Sequence, residues 1–391
     1  DQRVTIHFGG VSSALYLWVN GQYVGYSQVS RSPAEFDLSD VVQPGENAIA
    51  VQVHRWCDGS YLENQDMWFL SGIFRSVDLR AEPVTRLDDV ALDSELDLAA
   101  GTASLVVRAS VASGRGAAAP GAPAAGWQVT ASVRGDGREL AAGTADVADD
   151  GDVRFTVDAG QVDLWTAETP VLHDVVLTLT DPAGQVHDVR RVRHGFRKVE
   201  IRDRQLLVNG VSILLLGVNR HDMDPVTGST MSVERLRRDV ETIKQANANA
   251  VRTSHYPDDE RFYDLCDEVG LYVMDEADLE SHAVRRTVPG SDPRWTDACL
   301  DRAERLVGRD RNRACVIIWS LGNEAGFGSN HVAMADRIRH LDPTRPIHYE
   351  GDHQAQAADM LSAMYATPKQ VRRVGEDAGY RLLHTAVAEQ I

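Results

Sequence analysis

Two patterns of apolar and polar positions divide the chain. Between residue 4 and about residue 199, short apolar or alternating runs are separated by tight turns, which is typical of antiparallel sheets. After Ile201, short apolar runs alternate with longer amphipathic segments, which is typical of a parallel sheet covered by helices on both faces. The sequence therefore predicts two all-β regions followed by an α/β region.

The first all-β region, residues 1–83, predicts a partial sandwich of jelly-roll type. Residues 15–19 and 23–26 flank Asn20 and Gly21, which tolerate the positive φ angles of a type I′ hairpin turn. Because residues 4–8 already form a predicted strand and Asp1 is not a start residue, we expect the chain to lack the first strands of this sandwich and to derive from a longer protein. No signal peptide is visible.

The second all-β region, residues 84–197, predicts an immunoglobulin-like sandwich, because several short strands occur within roughly a hundred residues. The predicted strands cover residues 105–107, 127–133, 153–157 and 175–179. Residues 113–126 are almost all Ala, Gly and Pro, and predict a loop between strands, with a domain linker as the alternative.

The third region, residues 198–391, predicts an incomplete (β/α)8 TIM barrel. The predicted strands cover residues 211–218, 249–253, 271–274, 316–320, 347–349 and 360–364, and the predicted helices cover residues 232–245, 258–269, 296–312 and 331–340. At most six strand–helix repeats fit, whereas a complete barrel has about eight. We therefore expect roughly three-quarters of a barrel.

Charge and cysteine content narrow the classes of function. The net charge is -18, which disfavours nucleic acid and anionic membrane surfaces as partners. Four cysteines, Cys57, Cys266, Cys299 and Cys315, include no CxxC pair, which indicates a reducing compartment. No apolar run reaches 18 residues. These features predict a cytoplasmic protein that admits a neutral or cationic small molecule.

Polar residues collect directly after the predicted barrel strands, where the loops of a barrel form one face. Chance would spread them over both ends of the strands. They are Asn219, Arg220, His221, Asp222, Arg252, Ser254, His255, Tyr256, Asp275, Glu276, Glu280, Ser281, His282, Asn323, Glu324, Glu350 and Tyr365.

Glu324 is the strongest candidate for catalysis among them. The apolar run 316–321 carries it to the mouth of the barrel, and glycines 322, 326 and 328 keep its surroundings open for a ligand. Asn323 offers an amide to a sugar hydroxyl. The alternative interpretation is a helix-capping acid in a glycine-rich turn.

Four segments resemble signatures of glycoside hydrolase family 2, in particular those of the large bacterial β-galactosidases. Residues 310–324 (DRNRACVIIWSLGNE) are similar to the acid/base signature of the family, and residues 249–257 (NAVRTSHYP) with 267–273 resemble its second signature. Residues 60–68 with 71–75 resemble a motif of the first domain, and residues 164–170 resemble one of the second domain. The resemblance therefore extends over all three regions.

This resemblance implies hydrolysis of terminal β-galactosides, such as lactose, by a retaining double displacement. Glu324 would be the acid/base, and a second carboxylate roughly 5 Å away would be the nucleophile. The family's nucleophile is a Glu near the seventh strand in a Cys-Glu-Tyr-like context, which does not occur in this sequence. Glu350 would be a rim or supporting residue. We therefore expect the isolated chain to be inactive.

The resemblance also implies sites for substrate and metal ions. Glu280, His282 and Glu324 match a Mg²⁺ site, although imidazole suits Zn²⁺ or Mn²⁺ better than Mg²⁺. Asp66 matches a residue that binds the galactose 6-hydroxyl and a Na⁺ ion. Further substrate-binding positions are His221, Arg252, His255 and Asn323.

Structural roles remain the alternatives for several of these residues. Arg252 would then belong to a buried ion pair, His255 to the core, Asp66 to a loop, and Glu280 and His282 to the surface. Trp56, Trp68 and Trp319 could stack on a sugar, with a place in the core as the alternative for Trp319.

Other functions also remain open for the chain as a whole. The alternatives to a β-galactosidase are a β-glucuronidase, a β-mannosidase or a non-catalytic carbohydrate-binding protein. The resemblance to the family also implies that the intact protein is a homo-oligomer.

Overall fold

The computed structural model describes residues 2–116 and 121–376. Its first unit contains two three-stranded antiparallel sheets, in the orders β5-β1-β9 and β4-β3-β6. The strands are β1 (Gln2–Phe8), β2 (Val11–Ser12), β3 (Ala14–Val19), β4 (Gln22–Gln28), β5 (Ala34–Asp37), β6 (Ile49–His54), β7 (Glu63–Asn64), β8 (Gly72–Ile73) and β9 (Val77–Pro83).

The predicted hairpin joins β3 to β4. Asn20 has φ 51° and Gly21 has φ 79°, so both central residues adopt the left-handed conformation that a type I′ turn requires. Alternate residues of β3, Leu15, Leu17 and Val19, are buried in a core shared with β1. The period-two pattern therefore assigns the inner face of this sheet.

The second unit is a sandwich of a three-stranded sheet, β10-β11-β14, and a four-stranded sheet, β13-β12-β15-β16. The predicted loop joins β11 to β12, and Ser113 bridges to Gly121 within it; residues 117–120 lie outside the described part. The strands are β10 (Thr85–Asp97), β11 (Thr102–Ser113), β12 (Gln128–Gly135), β13 (Arg138–Asp146), β14 (Asp152–Gly160), β15 (His173–Thr180) and β16 (Val186–His194).

The third unit contains five parallel strands in the order β20-β21-β22-β24-β25. Its strands are β17 (Val199–Arg202), β18 (Gln205–Val208), β19 (Val211–Ser212), β20 (Gly217–Arg220), β21 (Ala250–Thr253), β22 (Tyr272–Glu276), β23 (Glu280–Ser281), β24 (Val316–Ser320) and β25 (Ile347–His348). Its helices are α1 (Val233–Gln245), α2 (Glu260–Val269), α3 (Thr296–Asp310), α4 (Ser329–Leu341) and α5 (Pro368–Glu376). Within the described residues, no helix is both long and apolar enough to cross a membrane.

Two predicted strands of this unit differ from the structure. Residues 211–218 form two short strands, because β19 pairs antiparallel with β18 whereas β20 pairs parallel with β21. No strand forms at residues 360–364. Asp359 alone caps this edge of β25: its N–H donates to the Ile347 carbonyl at 2.8 Å, and its carboxylate accepts the Ile347 N–H at 2.8 Å, so the side chain takes a backbone donor that a neighbouring strand would use.

The first unit docks onto the barrel through a short parallel pairing of β7 with β23. Next to it, Arg302 on α3 is fully buried and donates to Glu63 at 2.7 Å and to the Asp278 carbonyl at 2.7 Å. This buried contact fixes the loop that follows β7, which carries Asp66, beside the carboxyl ends of the barrel strands.

Candidate active site

Glu276 lies at the centre of the carboxyl ends of the barrel strands. It ends β22 and is fully buried. Its carboxylate accepts hydrogen bonds from Arg252 Nε at 2.8 Å, from Ser320 Oγ at 2.6 Å, and pairs with His255 Nδ1 at 2.7 Å. Burial alone would raise the pKa of Glu276, but Arg252, His255 and Ser320 lower it to about 2. The site therefore contains a permanent buried negative charge.

Arg252 links this carboxylate to the residue before Glu324. Its Nη2 donates to Asn323 Oδ1 at 3.0 Å, so the amide oxygen of Asn323 is engaged by protein. Arg252 is thus a member of a buried ion pair, the structural role considered from the sequence. The arrangement still places its guanidinium within the group of residues predicted to surround a sugar.

Glu324 follows β24 and is held between a histidine and an arginine side chain. Its carboxylate lies 3.5 Å from His282 Nε2 and 3.2 Å from Arg285 Nη1. Its side chain is 19% exposed, so a ligand can reach it. The predicted position at a strand end, inside a group of convergent polar residues, agrees with this geometry.

Glu324 has φ 29°, a left-handed conformation that side chains other than glycine adopt at a cost of about 1–3 kcal/mol. Two residues that follow β25 support it. Glu350 accepts the Glu324 N–H at 2.7 Å, and the Tyr349 hydroxyl accepts the Ala325 N–H at 3.2 Å. Strained backbone held by buried acceptors is typical of functional sites.

Removing the carboxylate acceptor at position 350 is therefore expected to destabilise the chain. Glu350→Ala should lower the free energy of unfolding by about 1–3 kcal/mol, because the Glu324 N–H loses its partner. Glu350→Gln retains an acceptor oxygen and should cost less than about 1 kcal/mol. Urea denaturation of both variants tests this, and equal losses would contradict the role assigned to the hydrogen bond.

Three potential metal ligands, Glu324 among them, converge at this position, and a fourth carboxylate lies near them. Ligand atoms of Asp66, His282 and Glu324 all lie within 4.8 Å of one another. Glu280 is 1% exposed, and neither of its carboxylate oxygens has a hydrogen-bond partner among the described residues. Burial raises the pKa of Glu280 to about 8; the Asn323 amide opposes this rise, and the nearby carboxylates of Glu276, Glu324 and Asp66 add to it. A buried carboxylate in an acidic cluster is suited to a cation.

The remaining predicted residues occupy different positions around this group. His221 is exposed, lies 3.4 Å from the Tyr256 hydroxyl and packs edge-on against His255 at 5.7 Å. His221 also lines a cavity of about 610 Å³. The other residues of its lining are Asn64, Gln65, Asp66, Met67, Trp68, Phe69 and Met223.

The three tryptophans proposed to stack on sugars separate into two classes. Trp319 is fully buried and donates to Asp342 at 2.8 Å, so it belongs to the core and cannot stack on a sugar. Trp68 is 72% exposed and Trp56 is 54% exposed, and both remain accessible to a ligand.

For three residues of the site, the sequence analysis assigned either no role or a smaller role than the structure shows. Glu276 was included among the polar residues after strands, and its position as the final residue of a strand was the available signal. Glu350 was expected at the rim but is 7% exposed and bonds to the Glu324 backbone. Arg285 had no sequence signal, because its approach to Glu324 depends on how two loops fold together.

Sequence models of known domain families match all three units. They are described as "Glycosyl hydrolases family 2, sugar binding domain" over residues 1–83, "Glycosyl hydrolases family 2" over residues 85–197, and "Glycosyl hydrolases family 2, TIM barrel domain" over residues 199–380. The chain therefore belongs to glycoside hydrolase family 2. The predicted fold class, a partial β-sandwich, an immunoglobulin-like sandwich and an incomplete TIM barrel, is confirmed.

Curated relatives are β-galactosidases. The chain is 44% identical to the β-galactosidase of Pectobacterium atrosepticum over 388 residues, which is 96% of this chain and 36% of that protein. It is 46% identical to β-galactosidase 2 of Enterobacter cloacae over 377 residues, 93% of this chain and 36% of that protein. The chain thus spans about a third of the length of these relatives.

Solved structures share the fold at lower identity. The β-glucuronidase of Bifidobacterium dentium superposes with a TM-score of 0.78 at 22% identity, covering 89% of this chain and 62% of that chain. A β-glucuronidase of Ruminococcus gnavus superposes with a TM-score of 0.79 at 22% identity, covering 92% of this chain and 62% of that chain. These similarities concern the architecture alone.

Proposed function

We propose that the chain supplies the acid/base half of the active site of a retaining β-galactosidase. The observation that supports this most is the position of Glu324, which lies at the carboxyl end of β24 with His282, Arg285 and the cavity beside Asp66 around it. The β-galactosidase names of relatives at 44–46% identity agree with this substrate class.

In the proposed reaction, Glu324 protonates the leaving glycosidic oxygen and then removes a proton from the incoming water. Arg252 and His255 both hydrogen-bond to the buried carboxylate of Glu276, which keeps the two side chains oriented toward the sugar. His221 and Asp66 are available to the hydroxyls of the substrate. Asn323 accepts a hydrogen bond from Arg252 and so positions its guanidinium relative to the neighbouring Glu324.

A retaining mechanism also needs a nucleophilic carboxylate about 5 Å from the acid/base. The family places it in a Cys-Glu-Tyr-like segment that this sequence does not contain. We therefore expect the isolated chain to bind β-galactosides without turning them over. Its cytoplasmic location and homo-oligomeric state remain predictions.

We further propose that Glu280, His282 and Glu324 hold a divalent cation, Mg²⁺ by resemblance to the family, and that Asp66 binds Na⁺. The unpartnered carboxylate of Glu280 and the converging atoms of the other two residues fit a divalent ion. The Asp66 side chain is 77% exposed, which suits a partly hydrated monovalent ion. When bound, the divalent ion would neutralise the excess of carboxylates and fix their geometry.

The charges of the site favour a neutral galactoside over a glucuronide. Asp66, Glu280 and Glu324 lie together, and the exposed carboxylate of Asp66 would repel the carboxylate of a glucuronide. A galactose hydroxyl would instead donate a hydrogen bond to Asp66. The geometry therefore supports galactoside specificity.

A calorimetric titration tests this proposal. The chain should bind a non-hydrolysable thio-β-galactoside at least tenfold more tightly than the matching glucuronide or mannoside, and Asp66→Ala should weaken galactoside binding at least about tenfold. Glu46→Ala, at an exposed acid of the same unit, is the matched control. Preference for the glucuronide would overturn the substrate class, and turnover of a nitrophenyl β-galactoside would overturn the expected inactivity.

A further inference from the structure

A second cleft lies at the opposite end of the barrel from Glu324. It encloses about 370 Å³ between β10 of the immunoglobulin-like unit and the segments that precede β24 and β25. Because these segments enter the parallel strands at their amino-terminal ends, the cleft is remote from the candidate active site. The charged residues of its lining are Asp93, Glu95, Arg197, Lys198, Arg311, Arg313 and Arg345.

The lining is cationic in a protein that is strongly acidic overall. It contains four arginines and one lysine against two carboxylates, whereas the whole chain has a net charge of -18. Arg313 pairs with Asp264, and Arg345 with Asp342, and both of these carboxylates lie outside the cleft lining. Lys198 pairs with Glu200 and Arg311 with Asp89, so carboxylates compensate four of the five cations in the lining.

Among the described residues, Arg197 is the one cation of this lining without an acidic partner. It is 8% exposed. Its Nε and Nη2 donate to the carbonyls of Ala314, Arg313 and Val316, and no ion pair within residues 2–116 and 121–376 includes it. Burial and the adjacent Arg345 lower the pKa of Arg197 to about 9. A buried guanidinium without a counter-charge is costly to the fold.

Arg311 supplies an unsatisfied donor to the same cleft. Its Nη2 bonds to the exposed Asp89, but its Nε is buried and has no hydrogen-bond partner in the described part of the chain. Buried donors are almost always paired with protein, water or a ligand. Arg197 and Arg311 both line the cleft, and together they contribute a charge without a counter-ion and an N–H without a partner among the described residues.

We propose that this cleft binds a small tetrahedral oxyanion, of the phosphate or sulfate class, between the immunoglobulin-like unit and the barrel. Guanidinium groups match the geometry of such anions and form strong charge-assisted hydrogen bonds with them. The anion would neutralise Arg197, accept from Arg311 and connect the two units. The site is separate from the proposed galactoside site and does not depend on it.

The bound state should be detectable as an increase in stability of the full chain. Inorganic phosphate and sulfate are titrated against sodium chloride at equal ionic strength, while the midpoint of thermal unfolding and the binding heat are measured. Both oxyanions should raise the midpoint in a saturable way, because a ligand that binds only the folded state stabilises it by mass action. Chloride should give no saturable increase, and an equal response to all three salts would overturn the proposal.

Charge-removing variants locate the site. Arg311→Gln should raise the dissociation constant for phosphate about tenfold, and its partner Asp89 is 59% exposed, so the variant should fold. Arg191→Gln is the matched control, since Arg191 is 63% exposed, lies on β16 and pairs with Asp174. Arg197→Lys keeps the charge but loses the planar fork, and should also weaken binding. Equal weakening by Arg311→Gln and Arg191→Gln would refute this location.

A further titration distinguishes two sources of the oxyanion, a phosphorylated metabolite and free inorganic phosphate. A hexose 6-phosphate is titrated under the same conditions as inorganic phosphate. Tighter binding of the ester would assign the site to phosphorylated metabolites, and tighter binding of the free ion would assign it to inorganic phosphate. Failure of both, with galactoside binding intact, would reject the anion site while leaving the proposed function standing.

Discussion

Replacing Arg302 with methionine is expected to lower the free energy of unfolding by about 3–5 kcal/mol. The Arg302 side chain is fully buried and contacts both Glu63 and the backbone of Asp278. Without it, two buried carboxylates remain without a cation between them, and burial with Asp278 already raises the pKa of Glu63 to about 7. Urea denaturation at neutral pH measures the loss.

A double variant and a surface control separate this cause from general damage. Arg302→Met with Glu63→Met should recover much of the lost stability, because an apolar pair replaces a buried ion pair well, whereas an orphaned charge is the costly state. Arg337→Met, which breaks the half-exposed pair with Glu304 on α4 and α3, should cost less than about 1 kcal/mol. A cost for Arg302→Met as small as that of the control would contradict the assignment.

Replacing Glu280 with glutamine is expected to stabilise the metal-free chain increasingly as the pH rises. The pKa of Glu280 in the folded chain is about 8, above the value of about 4.3 for an unfolded glutamate. The folded state therefore keeps a proton that the unfolded state releases, so the stability of the wild-type chain falls as the pH rises through this window. Near pH 8 the advantage of the variant should approach about 3–5 kcal/mol.

Divalent cations should reverse this order. In a chelating buffer the variant is the more stable protein at pH 8, whereas saturating Mg²⁺ or Mn²⁺ should stabilise the wild-type chain and leave Glu280→Gln nearly unchanged. Glu304→Gln, at a half-exposed position, should follow the wild type in both buffers. Parallel pH curves for Glu280→Gln and wild type in the chelating buffer would refute the buried unpaired carboxylate, and no selective rescue by cations would refute the metal proposal.

Much of the architecture was predictable because its signals are local. The apolar run 316–320 coincides with β24, and the amphipathic segment predicted over residues 296–312 is α3, Thr296–Asp310. The Ser232 cap predicted for α1 is present, since its side chain accepts the Arg235 N–H. Periodicity and capping depend on residues that are close in sequence, so both can be recognised without knowledge of tertiary contacts.

The errors occurred where pairing between distant segments decides the outcome. The apolar run 211–218 is uniform in sequence, yet its two ends pair with different sheets. The segment 360–364 has strand-like composition, but Asp359 occupies a donor at the edge of β25. A strand exists only where a partner offers free backbone groups, and composition alone does not contain that information.

By itself, the sequence determined the order of the three units, the strand ends that carry polar residues, and Glu324 as the leading carboxylate. Only the tertiary structure decided that Glu276 is the buried anion beneath Arg252 and His255, that Glu350 and Arg285 support Glu324, and that Trp319 belongs to the core. The physical reason is that burial and charge pairing are properties of groups from distant segments. A single chain position specifies its chemistry, but the neighbours that tune that chemistry are fixed only when the strands assemble.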